Sequence, residues 1–442
     1  MTKSSTWTAL RNPVFRKLWL ATVISGTCVA AHDSAATWSM NLLTASPLLI
    51  SLMSTVASLP FFLFTLPAGA LADKIDRQKL VCAINLWLAA TAIGLAVLGW
   101  LHLLNPYLIL VCVFFIGIGF AFNAPAWTSI VPQIVSDTEL PSAVILGGLQ
   151  LNLSGIVGPA LGALLVPLAG ANFVFALNAA CFLLVVLAVW RWKRPAVAVK
   201  LRSERFFESL GTVVHYVRCA PGLQVVLARN FLFALFISAI PALIPVVGLK
   251  ELQLSSSNLG LLFTSMGAGS VLGAVFIFPW LRARSSPDSL TLSANLLIVI
   301  AYVLMALVRR TEAFFVVAAL AGVGWTLSAS ELWVAAQRVV PSWTRGRMNA
   351  VVMMISQGAM VLGGTIWGSA AAIAGATYAL SGAAVLFLLS LLLAGRLSIN
   401  FTRDLGGDLL RSNYPRQIAS GTSLQKSHVA KDRRAHCEPE NS

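Results

Sequence analysis

The feature that most constrains this chain is an apolar run of about twenty residues with at most one charge, met twelve times. The runs lie near 18–42, 48–71, 80–103, 106–129, 143–168, 171–191, 226–249, 257–281, 288–308, 313–335, 349–373 and 376–396. A helix of about 20 apolar residues crosses a bilayer core. Inside lipid every backbone polar group must be bonded within the protein, which leaves helices or a closed barrel. Barrel strands alternate apolar and polar residues over about ten positions. Phe182–Trp190 and Leu386–Leu393 do not alternate, so the reading is an all-α membrane protein of twelve transmembrane helices. Composition agrees: 11% of residues are charged, against about 25% in a soluble domain.

The net charge of +15 could suit nucleic acid, but its placement says otherwise. Lys and Arg sit in the short links between runs. Counted in alternate links, one side receives Lys3, Arg11, Arg16 and Lys17, then Lys74, Arg77 and Lys79. It also receives the Arg191 to Arg229 stretch, Arg282, Arg284, Arg338, Arg345, Arg347 and the tail. The other side holds only Lys250, Arg309 and Arg310. Basic links face the cytoplasm, so both termini and the 192–225 link are expected there. The expected partners are the lipid bilayer and a small molecule, with no nucleic acid, and the expected state is a monomer. The first run follows Arg16-Lys17 without an Ala-x-Ala exit, so it is expected to remain as a span in the inner membrane rather than be cleaved as a signal.

The expected organisation is a six-helix bundle over 1–191, a cytoplasmic link over 192–225, a second bundle over 226–396 and a disordered basic tail over 397–442. The polar link is expected to lie on the membrane as an amphipathic helix. The halves repeat at an offset near 205. Gly117-Ile-Gly119 answers Gly322-Val-Gly324, Gly158 answers Gly363, and Gly69-Ala70 answers Gly273-Ala274. Parallel six-helix halves are one known design of secondary transporters, whose site lies between them.

The six cysteines show no disulfide or zinc spacing, and His436-Cys437-Glu438 in the tail is read as incidental. No phosphate loop, catalytic triad or metal spacing appears, so no enzyme, cofactor, metal or ATP-driven step is expected.

One loop is more specific. Gly69-Ala-Leu-Ala-Asp73-Lys74-Ile-Asp76-Arg77-Gln-Lys79 joins runs 2 and 3. It resembles the signature loop of the major facilitator superfamily, with Asp76 where that family usually has glycine. Asp tolerates the left-handed conformation better than most residues, which would preserve the turn. By this resemblance Gly69, Asp73, Arg77 and Lys79 form a cytoplasmic gate, with Asp73 docking near Asn349 when that side is closed. In run 5, Gly155-Ile-Val-Gly158-Pro159-Ala-Leu-Gly162-Ala163 is similar to the motif of the superfamily's exporter branches. Ser154 and Ala163 replace two expected glycines, and Gly155 stands where an arginine is often found. Trp38 to Pro47, Ala124-Pro125-Ala-Trp127 and Arg345-Gly346-Arg347 add a resemblance to the transmembrane secretion effector group, the enterobactin exporter-like or drug:proton antiporter 3 group. The resemblance runs over about 10–395. It implies the major facilitator fold and proton-driven export of a siderophore, drug or metabolite.

Ionisable residues inside a membrane are costly and are functional candidates by default. His32 and Asp33 lie about 23 Å along a helix from Lys17, past the midplane. Asp33 is the candidate for proton coupling; the alternative is that run 1 ends early and leaves the pair at the outer mouth. Glu331 in run 10 is a second candidate, paired with Arg338 or with an arginine of another helix. Arg229 and Asn230 open run 7 and could attract an anionic substrate. The leading expectation is a proton-coupled exporter. The alternatives are a lysolipid or metabolite importer of the same fold and a non-transporting membrane sensor.

Overall fold

The computed structural model describes residues 7–136, 138–192, 221–339 and 345–394. The expected link helix over 193–220 and the tail over 397–442 lie outside the described residues. The helices are α1 Pro13–Leu43, α2 Pro47–Lys74, α3 Arg77–Trp100, α4 Pro106–Ile134, α5 Leu140–Ala169 and α6 Ala171–Trp190. Then come α7 Leu223–Glu251 and α8 Ser256–Arg282. The series ends with α9 Pro287–Leu307, α10 Thr311–Val339, α11 Arg345–Ala374 and α12 Ala376–Ala394. Eleven are long and apolar enough to span a membrane, and the twelfth is apolar over the shorter Ala376–Leu392. No strand occurs among the described residues.

Local chemistry sets the helix boundaries. Asn12, Asn105 and Ser286 each cap a helix whose next residue is proline. Their side chains accept from backbone N–H groups of the first turn, and proline at the first position lacks an N–H that would have gone unpaired. Asp76 does the same for α3, accepting from Gln78 N at 2.9 Å and Lys79 N at 3.3 Å. Its φ is −56°, so it does not occupy the left-handed turn expected of it. A carboxylate at this place satisfies orphan donors, which a glycine could not. Gly170 and Gly375, at φ +81° and +95°, turn α5 into α6 and α11 into α12 without any further loop residue. A side chain there would be strained. The two glycines stand 205 positions apart, a repeat pair that the same offset could have found.

The two halves pack alike. In each, the first helix lies on the fifth, the second on the fourth, and the third on the fourth and sixth. The repeated glycines explain why. A Cβ at Gly117 would meet Pro60 of α2, and one at Gly322 would meet the Met266 carbonyl of α8. Gly119 faces Leu88 of α3, and Gly324 faces Ile298 of α9. Gly158 lies on Thr27 and Ala30 of α1, while Gly363 lies on Leu235 and Ser238 of α7. Small residues at these points let the backbones approach, the usual basis of helix association in lipid. The third proposed pair fails. Gly69 has nothing within 4 Å of where its Cβ would stand, whereas Gly273 faces Val323 and Thr326 of α10.

Between the halves the same exchange occurs twice: α2 lies on α11, and α5 on α8. Here the terminal face means the face on which α1 begins and α12 ends; the far face is the opposite one. Gly368 packs on Ser51 and Leu48, Gly364 on Thr55, and Gly358 on Phe62, moving from the far face to mid-depth. In the other seam Gly260 meets Pro159 and Ala163, and Gly267 meets the Gly155 carbonyl. Nearer the terminal face, Gly69, Gly147 and Gly148 have no neighbour within 4 Å of a Cβ position. Among the described residues, the halves therefore meet along their far portions, and the glycines nearer the terminal face stand clear, which leaves a cleft on that side.

Candidate functional site

The first candidate on the side where the halves part is Asp33 of α1. Helix α1 continues unbroken from Pro13 to Leu43, so the helix itself does not end before His32. Asp33 lies about 30 Å from the start of α1 and about 15 Å from its end at 1.5 Å per residue. It is exposed. Leu20 and Ile24, in the same helix between its ends, are exposed apolar side chains at 47% and 46%. At 100° per residue Asp33 falls on the opposite side of the helix from both. Those leucine and isoleucine side chains suit lipid, so Asp33 faces inward, towards the cleft. Its carboxylate makes no hydrogen bond or ion pair among the described residues.

His32 is the next residue but serves another surface. It is 1% exposed, stacks on Phe175 of α6 with ring centroids 4.7 Å apart, and leaves both ring nitrogens without a partner among the described residues. One turn away, Cys28 and Cys181 lie with sulfurs 3.0 Å apart. The structure thus separates the two neighbours: Asp33 lines the cleft, and His32 is part of the α1–α6 packing.

The residues of the run-5 motif pack on α1 at the level of Asp33. Gly158 and Gly162 pack on α1 around Ala30, Ala31 and Ser34. The carbonyls of Gly155 and Pro159 lie against Gly267 and Gly260 of α8. This stretch of α5 is therefore a spacer between α1 and the other half. Its two departures from the motif are met on the facing helices. Opposite Ser154 stands Gly26 of α1, where a Cβ would lie 2.7 Å from the Ser154 hydroxyl. Opposite Ala163 stands Gly260, where a Cβ would lie 2.6 Å from the alanine methyl. The missing glycines are supplied by neighbouring helices, and sequence reading confined to run 5 could not see them.

Two interior charges of the C-terminal half, Glu331 and Arg229, have charged partners. Glu331 is 1% exposed and lies 3.5 Å from Arg282 Nε of α8. The arginine of another helix is therefore its ion-pair partner. Arg229 Nη1 bonds Asp288 Oδ1 at the start of α9, so an acid stands beside it. Asn230 donates to Ser356 Oγ of α11. A void of about 20 Å3 beside Arg229, Thr291 and Asn295 has room for a water and no more. Of the gate residues, Gly69 is open, Arg77 begins α3 and Lys79 lies in its first turn. The side chain of Asp73 lies outside the described residues. Asn349, its expected docking point, accepts from Gln337 Nε2. No group of three or more His, Cys, Asp or Glu side chains able to hold a metal occurs among the described residues.

Comparison with solved structures shows the same fold. A bacterial homologue of the human lysosomal transporter Spinster, inward-facing and occupied, superposes with a TM-score of 0.69 at 14% identity, covering 90% of this chain and 98% of that one. A bacterial homologue of the iron transporter ferroportin, inward-facing, gives 0.65 at 14% identity, covering 86% and 98%. Among curated proteins, Macrolide efflux protein A of Streptococcus pyogenes is 23% identical over 60% of this chain, which spans 65% of that protein's length. Enterobactin exporter EntS of Salmonella choleraesuis is 25% identical over 87% of this chain and 93% of its own. The sequence profile described as transmembrane secretion effector matches residues 4–418, and the chain belongs to that family, within the major facilitator superfamily.

Proposed function

We propose that this protein is a secondary active transporter that exports a small organic molecule across the inner membrane in exchange for protons. The observation that carries the reading is the exposed Asp33 carboxylate on the wall of a cleft that is sealed at the far face and parted at the terminal face. The excess of Lys and Arg in the terminal-face links supports a cytoplasmic assignment for that face, so the cleft takes cargo from the cytoplasm. Alternating access then needs the halves to rock about seams of glycine, serine and alanine. A carboxyl group in the cleft binds a proton on one side and gives it up when the other side opens. Each half acts as one body, with the 192–225 link as the tether and the 397–442 tail outside the transport unit. The similarity to a macrolide efflux protein and an enterobactin exporter supports export over import.

The test is uptake into inverted proteoliposomes holding the purified protein, with an imposed acid lumen and with enterobactin or a macrolide as cargo. Accumulation that needs the proton gradient is the expected result. Accumulation that ignores the gradient would remove proton exchange, and the absence of both cargoes from the lumen would exclude these two substrates.

A further inference from the structure

The links on the far face carry three basic residues, Lys250, Arg309 and Arg310. Lys250 sits in the π-helical turn Val247–Glu251 that ends α7. Its Nζ donates to the Thr44 backbone carbonyl at 2.9 Å. Thr44 is the C-cap of α1, so this bond joins the last turn of the C-terminal half's first helix to the end of the N-terminal half's first helix. The acceptor is well matched. The last carbonyls of a helix lack partners within it, and the helix dipole leaves partial negative charge there. An ammonium is the complementary group.

The stem of this contact is held firmly. The next residue, Glu251, lies 3.4 Å from Arg309 Nη1. Arg309 Nη2 donates to Thr377 Oγ1 at 2.8 Å, at the start of α12. Leu249 and Leu254 on either side are buried. The C-terminal half thus fixes the base of Lys250, and the side chain alone reaches across. The wide turn of the π-helix places residue 250 beyond the register an α-helix would give.

We propose that Lys250 is the residue that holds the far face shut in the transport cycle, and that release of cargo requires its ammonium to leave the Thr44 carbonyl. The proposal rests on the alternating-access reading. When the halves rock apart at the far face, α1 and α7 separate there, and Nζ passes to water. The bond exists in one of the two states only, so it biases their equilibrium without touching cargo.

A reporter for far-face opening is a cysteine at position 51 (Ser51→Cys), a buried site at the α2–α11 seam beside Gly368. Its modification by fluorescein maleimide is followed in purified protein without cargo, with the unsubstituted Ser51 protein as the blank for native cysteines. Lys250→Met removes the donor and keeps the length of the chain, and it should raise the modification rate about tenfold, in line with loss of a charged hydrogen bond. Lys250→Glu, which repels the helix end, should raise it further, and Lys250→Arg should return it close to the parent rate. Equal rates in all four backgrounds would overturn the proposal, as would slower labelling in Lys250→Met. Melting temperature checks that each variant remains folded. Labelling needs no cargo, so a failure of the exporter reading in vesicles leaves this result standing, and the reverse also holds.

Discussion

In the N-terminal half the acid of the membrane interior, Asp33, stands exposed on α1 with no partner among the described residues. In the C-terminal half Glu331 is buried on α10 against Arg282, and Arg229 is closed onto Asp288. The helix packing of the two halves is the same, pair for pair. The repeat was therefore kept where backbones touch and abandoned where charge is held. A paired charge contributes to holding helices together, whereas an unpaired one in a cleft is available to a proton or a cargo. The N-terminal half supplies the chemistry on this reading, and the C-terminal half supplies a rigid wall.

Substitutions can break this comparison or sharpen it. The largest effects should be structural and equal on both sides. Gly158→Ala and Gly363→Ala each drive a methyl into backbone of the first helix of their half, at 2.6 Å from Thr27 O and 2.1 Å from Leu235 O. Overpacking of this kind costs about 3 kcal/mol. Both variants should melt lower by similar margins in detergent. A large loss in one and none in the other would show that the halves do not share a packing plan.

Asp33→Asn comes next. It should leave folding intact, since removing a charge from the membrane eases insertion by up to about 3 kcal/mol. Net export should fall at least about tenfold, the equivalent of about 1.4 kcal/mol in rate, and the remaining flux should lose its dependence on the pH gradient. Vesicle uptake across a range of imposed gradients measures this. Wild-type flux with an unchanged gradient response would place the proton elsewhere.

Glu331→Gln should do the opposite. Arg282 is partly exposed, at 31%, so water compensates part of the lost pair, and the expected cost is about 1 kcal/mol of stability. Proton coupling should persist. If coupling fails while the melting temperature holds, Glu331 belongs to the mechanism, and the division between the halves is wrong.

The smallest effect is expected where the repeat itself fails. Gly273→Ala brings a methyl to 3.2 Å from Val323 Cα and should cost about 0.5 kcal/mol. Gly69→Ala meets nothing in this state and should not lower the melting temperature. Should it impair transport all the same, Gly69 has a neighbour in the terminal-face-closed state, as the family resemblance of its loop implies.

The helices were legible because lipid leaves the chain so few options: run length, proline after Asn or Ser, and basic links each report on one boundary. The repeat was legible in the glycines that touch a neighbouring helix, and Gly69 misled because its spacing fits while its surroundings do not. The site was read in part. Asp33 announced itself as an acid among apolar residues, but His32 carried the same signal and lies on a different, buried face against α6, because two adjacent helical residues point about 100° apart. The partner of Glu331 comes from Arg282, 49 positions earlier in the chain, and no local pattern names it. Gly26 and Gly260 show the same limit. A close approach needs a small residue on either helix, so reading one helix alone cannot tell a lost motif from a relocated one.

The α2–α11 seam has a consequence for how such proteins diversify. Its three glycines, Gly358, Gly364 and Gly368, lie against Phe62, Thr55 and Ser51, smooth backbone against short or flat side chains with few projecting teeth. On the alternating-access reading, a joint of that kind acts as a bearing: it can part and reclose with no interlocked side chains to disengage. The bearing and the cleft wall are built from different residues, so mutations can reshape the wall for a new cargo while the joint stays as it was. On this reading, substitutions in the wall should change what is carried, while substitutions at Gly358, Gly364 and Gly368 should change the movement itself.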